Sequence, residues 1–282
     1  MNVLIKTVGF IGDILFASSV ASKLVQKGYD EVDYFIGLPQ PIELLSNNPH
    51  ISNVYLEMPN KSYDKVYSLQ PIHRKKTPCE QFQEQCEIEN SDRCYKVYTN
   101  KGLDTWISTL VPKNLIKIAY LSNWEERSFL YTEEQYKQGV DVPYLGYGGK
   151  HRNIEKILNI LSKNEDFMLI PVGKGNGYNW TNIDQNSVSE YSFTASLLKN
   201  CDFFIGAEGG LCNLAAGVGT RTIITGDFIH QLYGWNGVIE KCEEPKLGPR
   251  YYFSNDIKHT TLNPYFTDEQ VAEHIQQIIR VS

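Results

Sequence analysis

The sequence predicts an α/β protein built from two Rossmann-like halves whose parallel sheets face each other across a cleft. Three observations predict it. Apolar, strand-like runs alternate with segments of helical apolar spacing along the chain, the pattern of parallel sheets covered on both faces. A strand, a glycine turn and a helix follow one another twice, at residues 2–26 and again at 203–218. The length of 282 residues suits about two domains.

The elements follow in order. Residues 2–8 read as a first strand and Gly9-Phe10-Ile11-Gly12-Asp13 as a tight turn. From 14 to 26, Ile14, Ala17, Ala21, Leu24 and Val25 recur at helical spacing. Residues 32–36 read as a strand, 41–46 as a helix, 52–56 and 64–69 as strands, and 77–85 as a helix with Thr77 as N-cap and Pro78 at its first position. Residues 95–98 are expected to close the first sheet. The mixed stretch 100–114, with Gly102 and Pro112, reads as the domain boundary.

A second series then begins with a strand at 115–121, an amphipathic helix at 153–161 and a buried strand at 167–172 ending in Gly173-Lys174-Gly175. Residues 131–150, rich in tyrosine and glycine, receive no assignment. A helix at 191–198 leads into the stretch around which the chain is organised, FFIGAEGGLCNLAAGVGTRTIIT at 203–225. It reads as strand, glycine turn, helix, turn and strand. Leu211, Leu214, Ala215 and Val218 lie at helical spacing, and Gly219 stands where a helix end favours positive φ. Residues 227–263 read as loop-rich, and Thr267-Asp268-Glu269-Gln270 as a capping box opening a last helix with Val271, Ile275, Ile278 and Ile279 on one face.

Composition narrows the function. With 41% hydrophobic and 21% charged residues the chain has the balance of a water-soluble globular protein. No apolar run reaches the ~20 residues of a membrane span, and the opening MNVLIKTVGF lacks a signal-peptide pattern, so the expected location is the cytoplasm. A net charge of −6 argues against a broad nucleic-acid footprint. The dense basic clusters are His73-Arg74-Lys75-Lys76 and Lys150-His151-Arg152, each expected to be a solvated loop. Six cysteines, Cys79, Cys86, Cys94, Cys201, Cys212 and Cys242, form no C-x-x-C pair and lack zinc spacing; they read as reduced, mostly buried thiols.

The chemistry concentrates at the two glycine turns. A helix N-terminus presents main-chain N–H groups and favours an anion, and Gly209 and Gly210 let a phosphate come close to the backbone. Gly9-Phe10-Ile11-Gly12 is similar to the turn of nucleotide-sugar short-chain dehydrogenases, but Lys6 stands where that fingerprint needs a further glycine. The Tyr-x-x-x-Lys pair of those enzymes is absent from the chain. At both ends the chain instead resembles the heptosyltransferase-like glycosyltransferases. Three segments carry the resemblance, in the same order: Ile11-Gly12-Asp13-Ile14-Leu15; Asn47-Asn48-Pro49-His50-Ile51-Ser52-Asn53-Val54; and Phe204-Ile205-Gly206-Ala207-Glu208-Gly209-Gly210-Leu211 with Leu214-Ala215-Ala216.

The resemblance implies a GT-B fold: an N-terminal acceptor domain at 1–110, a C-terminal nucleotide-sugar donor domain at 111–265, and a last helix at 266–282 packing back toward the first domain. It implies sugar transfer from a nucleotide-sugar donor to an acceptor hydroxyl with inversion and without a metal or other cofactor. The acceptor it implies is a glycan or lipopolysaccharide-like saccharide. The alternatives are a hydroxymethylated pyrimidine in nucleic acid, or a sugar-nucleotide-binding module without turnover. Asp13 matches the family's general base; a carboxylate on a glycine turn at a cleft edge suits proton removal from a hydroxyl, and its alternative role is helix N-cap. Donor contacts are expected from Gly12, Asn123, Arg127, Ser128, Lys174, Glu208, Gly209, Gly210, Leu211 and Asn213. The chain departs from the family pattern in that Glu208 replaces an aspartate, Gly209 a hydroxyl residue and Asn213 a histidine.

Overall fold

The computed structural model describes residues 1–7, 9, 11–37, 39, 41–70, 78–89, 95–122, 129–130, 150–173, 190–207, 209–225, 260–262 and 266–281. The first half is a four-stranded, wholly parallel sheet of β1 (Asn2–Thr7), β2 (Glu31–Ile36), β3 (Asn53–Tyr55) and β4 (Lys65–Leu69) in the order β3-β2-β1-β4. β1 lies at the centre, with Val3 opposite both Val32 and Lys65. Its apolar run NVLIKT is buried on both faces, as a central parallel strand requires.

The helices of this half are α1 (Ile11–Ala17), α2 (Ser19–Gln26), α3 (Ile42–Ser46) and α4 (Pro78–Gln85). The single helix expected from residue 14 starts three residues earlier and is broken at Ser18, whose hydroxyl donates to the Leu15 carbonyl at 2.7 Å. A serine that hydrogen-bonds its own helix competes with the backbone ladder at that point. α4 begins with Pro78 as expected, and Thr77, read as its N-cap, lies outside the described residues.

The second half holds a five-stranded parallel sheet of β5 (Ile116–Leu121), β8 (Phe167–Val172), β9 (Phe203–Gly206), β10 (Arg221–Thr225) and β11 (Thr260–Leu262) in the order β11-β10-β9-β5-β8. A two-stranded antiparallel ribbon, β6 (Phe129–Leu130) and β7 (Lys150–His151), accompanies it. Its helices are α5 (Lys101–Leu110), α6 (Ile154–Leu161), α7 (Glu190–Lys199), α8 (Gly210–Val218) and α9 (Asp268–Arg280). α8 ends at Gly219 with φ 97°, the left-handed conformation anticipated for it. α9 opens with the full capping box of Thr267 and Gln270. The buried residues of both halves join in one continuous core.

Three expectations are corrected. Residues 95–98 add no strand to the first sheet. Tyr95 and Val97 are buried against α8, where the Val97 amide donates to the Gly217 carbonyl at 2.8 Å. Their strand-like alternation serves a strap across a helix, and Gly217 makes room for it: a Cβ there would lie 2.8 Å from the Tyr95 ring. The stretch 100–114, read as the domain boundary, contains a helix: α5 fills most of it. The Asn100 side chain caps it, accepting from Gly102 N at 2.9 Å and Leu103 N at 3.1 Å, so Gly102 sits where its N–H has a partner. Within 227–263, Thr260–Leu262 is an edge strand paired with β10, too short for its pattern to stand out.

Arg152, finally, is not on a solvated loop. It is 1% exposed, donates to the Phe266 carbonyl at 2.7 Å and pairs with Asp268 at 3.5 Å. Burial lowers the Arg152 pKa, against the raising effect of Asp268. With the Lys156–Glu269 ion pair, these contacts seat α9 on α6. Among the described residues α9 packs chiefly on α6.

Candidate functional site

Strand order locates the site before any side chain is considered. In the first sheet the chain steps outward from β1 to β2 and β3, then returns to place β4 on the other side of β1. In the second it steps from β5 to β8, then returns to place β9 on the other side of β5. Loops leaving the strands at such reversals diverge and open a crevice at the strands' C-terminal ends. The segment leaving β1 carries Gly9 and the first turn of α1; the segment leaving β9 carries Ala207, Gly209 and the first turn of α8.

These two turns meet. A Cβ built on Gly12 would lie 2.8 Å from Asn213 Nδ2, and one built on Gly210 would come closer than 3.0 Å to Ile11 Cγ2. The first turns of α1 and α8 are therefore in direct contact, and glycine is what lets them approach. Gly12, Asp13, Gly209, Gly210 and Leu211 are all half-buried, open to a ligand from one side.

Asp13 is the third residue of α1, within its first turn rather than at its N-cap. Its carboxylate folds back over Gly9, where a Cβ would fall 2.5 Å from Oδ2. Gly9 has φ 155°, so any side chain there would be both strained and in collision with the carboxylate. A negative charge in the first turn of a helix is favoured by the helix dipole.

On the other side, Gly209 is the N-cap of α8 and supplies no side-chain cap. The departure noted in the sequence, glycine in place of a hydroxyl, thus falls where a serine or threonine would have bonded the helix's own N–H groups. The end of β8 closes in from the flank: a Cβ on Gly173 would lie 3.0 Å from Ser122 Oγ and 3.2 Å from Leu211 Cδ1. The exits of β5, β8 and β9 thereby converge on the start of α8. Two polar atoms at this locus are buried without a hydrogen-bond partner among the described residues: Thr7 Oγ1, at the end of β1, and Asn213 Oδ1, in α8. Buried polar groups are almost always partnered, so each is an opening for a ligand atom or water.

The contact is held by a residue the sequence reading did not single out. Tyr95 stacks edge-on against Phe16 of α1, with ring centroids 5.1 Å apart, and donates its hydroxyl to the Asn213 carbonyl at 2.7 Å. Burial raises the Tyr95 pKa well above its ordinary value, so the phenol stays protonated and donating. One side chain touches both helices about one turn from their functional ends. The only sequence signal for it was the alternation at 95–98, which argues equally for a strand.

Of the other anticipated residues, Asn123, Arg127, Ser128, Lys174 and Glu208 lie outside the described residues. Cys212 is buried in α8 as a small packed residue. Burial raises the thiols of Cys86 and Cys201 to about 12, which leaves them inert at neutral pH. Among the described residues no group of three or more His, Cys, Asp or Glu side chains is placed to hold a metal ion. Nor is any described helix long and apolar enough to cross a membrane.

No family model matches the sequence, and no curated protein matches it either. Solved structures do. A glycosyl transferase of family 9 from Veillonella parvula DSM 2008 superposes with a TM-score of 0.64 at 11% identity, over 100% of this chain and 97% of that one. The ADP-heptose lipopolysaccharide heptosyltransferase II of E. coli gives 0.60 at 11% identity, over 100% and 99%. The dodecameric, iron-containing heptosyltransferase TibC, in complex with ADP-D-beta-D-heptose, gives 0.57 at 12% identity, over 99% of this chain and 77% of that one. The fold is accordingly GT-B: two α/β halves with parallel sheets, shared over the full length of this chain with heptosyltransferase structures.

Proposed function

We propose that the protein is a glycosyltransferase that moves a sugar from a nucleotide-sugar donor to an acceptor hydroxyl. The observation that carries the reading is the abutment of the two first turns, one bearing the Asp13 carboxylate and the other an uncapped helix N-terminus. Transfer to a hydroxyl needs both parts within one sugar's reach: a base for the proton that leaves as the oxygen attacks, and a positive pole for the diphosphate that departs.

In this reading Asp13 accepts the acceptor's proton. The main-chain N–H groups at the start of α8 hold the diphosphate, with the glycines at 209 and 210 leaving the approach clear. Glu208, Leu211 and Asn213 contact the donor, joined by Gly12 from the facing turn and by Asn123, Arg127, Ser128 and Lys174, which follow β5 and β8 in sequence. Residues 1–110 serve the acceptor and 111–265 the donor. One base and one displacement give inversion at the anomeric carbon. The helix N-terminus and basic side chains neutralise the leaving group, so the step needs no metal; the iron of TibC belongs to that protein. The acceptor is a saccharide, and no described feature favours a nucleic-acid base. A cytoplasmic address goes with the reduced thiols.

The test is Asp13→Asn. Release of nucleoside diphosphate in the presence of acceptor should fall by about 10²–10⁴-fold, while the thermal shift given by the nucleotide sugar stays within a few tenths of a degree of wild type. Equal loss of donor binding and transfer would refute the assignment of Asp13. A variant that binds donor in a wild-type background with no transfer at all would leave a binding module. An NMR spectrum in which product keeps the donor's anomeric configuration would refute inversion.

A further inference from the structure

We propose that the exposed side of α5 rests on an anionic membrane surface, with Trp106 seated at the level of the lipid headgroups. α5 is ten residues long, about 15 Å. Ile107, 1% exposed, marks its packed side. The opposite side carries Gly102, Trp106 and Leu110 in one row and Thr105 and Thr109 in the next, the i, i+4 rows of a helix. All five residues are exposed, Trp106 at 36% and Leu110 at 40%. None of them is charged, whereas the water-facing side of a surface helix ordinarily carries charged groups.

An exposed tryptophan by itself carries no message. The groups around this one do. The hydroxyls of α5 turn their hydrogens into the helix itself: Thr105 donates to the Lys101 carbonyl at 2.9 Å, Ser108 to the Thr105 carbonyl at 2.6 Å and Thr109 to the Trp106 carbonyl at 2.6 Å. A hydroxyl bonded in this way has no donor left for water, which suits a surface that will be pressed against lipid. Asp104, the one carboxylate of α5, is turned away from this side, where it accepts from Lys199 at 2.6 Å and Thr99 at 2.7 Å. Glu43, which shares a hollow with Trp106, has a partner of its own. Lys101 opens the helix and Lys113 follows its end, both exposed and neither in an ion pair among the described residues.

Area and charge choose the occupant. Two partly exposed apolar side chains offer on the order of 150 Å², far short of the ~800 Å² per partner that a stable protein interface buries. A lipid surface asks for less. Tryptophan is favoured at the headgroup level, and lysines close to anionic headgroups add attraction that acts within a Debye length. An uncharged row with a tryptophan and a lysine at either end is the pattern of a helix that lies on a membrane. The net charge of −6 sets the rest of the molecule against the same surface, so attachment is weak, reversible and oriented with α5 toward the lipid. The inference stands apart from the transfer reaction proposed above.

The experiment uses the full chain without nucleotide sugar or acceptor. It is floated with vesicles of phosphatidylcholine alone and with vesicles in which about a third of the lipid is phosphatidylglycerol. Binding should be confined to the anionic vesicles and fall as salt is added. It should weaken about tenfold in Trp106→Ala and at least as much when Lys101→Glu and Lys113→Glu are combined. Brominated lipid should quench the wild-type fluorescence, and Trp106→Phe should remove most of that quenching. Unchanged melting temperatures in these variants show that they fold. No binding to anionic vesicles, equal binding to neutral ones, or binding indifferent to Trp106→Ala would overturn the proposal. So would a dimer in analytical ultracentrifugation that Trp106→Ala dissolves, which would give this side of α5 to a second copy. Vesicle binding is read without sugar transfer, so its failure leaves the role of Asp13 untouched, and the failure of Asp13 leaves vesicle binding untouched.

Discussion

Gly210→Ala tests the contact on which the site depends. The added methyl would come closer than 3.0 Å to Ile11 Cγ2, a separation that real Cβ atoms do not show. Ile11 is in the first turn of a helix, where a β-branched side chain is stiff about χ1, so its methyl cannot swing aside cheaply. The two helix ends must then part. Overpacking of this kind costs about 1–3 kcal/mol. Alanine regains at most about 0.8 kcal/mol of helix propensity, and less in a first turn, so the clash wins by roughly 1–2 kcal/mol. For a chain of 282 residues that lowers Tm by about 2–3 °C. Parting the turns also separates Asp13 from the start of α8, so transfer should fall by more than the loss of folded protein explains. The assay is a double-mutant cycle with Ile11→Leu, which keeps the side-chain volume and removes the offending branch. The double variant should regain Tm and activity relative to Gly210→Ala alone. A Gly210→Ala protein as stable and active as wild type, or no recovery on adding Ile11→Leu, would refute the facing-turn geometry.

Three further outcomes are expected. Tyr95→Phe removes the hydroxyl that donates to the Asn213 carbonyl but keeps the ring on Phe16; kcat should fall severalfold with little change in donor KM, and an equal change in both would argue against a positioning role. Asp268→Asn removes a carboxylate 3.5 Å from the fully buried Arg152 guanidinium, which should lower stability in a chemical denaturation curve by about 1–3 kcal/mol. Burial pushes the Asp104 carboxyl up, but hydrogen bonds from Lys199 and Thr99 outweigh it and hold the group below its ordinary value. A carboxyl lowered by folding stabilises the native state above its unfolded pKa of about 3.9 and loses that contribution as pH falls through the folded value. Melting curves between about pH 2 and 6 should therefore show an acid-induced loss in wild type that is smaller in Asp104→Asn.

How much of this was legible in the sequence depends on whether the deciding contact was local. β8 and the capping box of α9 were read correctly because period, cap and turn residues sit within a few positions of one another. Gly219 was equally legible, since a left-handed helix end is a local demand. The candidate site was half legible. Two glycine turns at opposite ends of the chain could be named, as could their chemistry, but not their touching: the Gly12–Asn213 contact joins residues far apart in the chain. Tyr95 and Arg152 were missed for the same reason. Nothing near Arg152 in sequence announces Asp268, and nothing near Tyr95 announces the Asn213 carbonyl. Gly102 hid the helix within the boundary stretch, because a glycine in the first turn of a well-capped helix resembles a break until its cap is seen.

α8 holds these observations together and determines how function should be tested here. Three of its contacts need glycine or its equivalent in space: Gly210 against Ile11, Gly217 against Tyr95 and Val97, and its Asn213 amide against Gly12 of the facing turn. The first and last set the distance between the two halves; the middle one straps α8 to the segment that also holds α1. The helix whose N-terminus is the candidate anion site is thus also the part that registers one half on the other. Substitutions along its buried face will therefore depress stability and transfer together, and lost activity alone does not mark a residue as belonging to the site. Compensation does. A second substitution on α1 that relieves the clash can restore activity only if the loss came from the spacing of the two turns, because it returns no group that would touch a substrate.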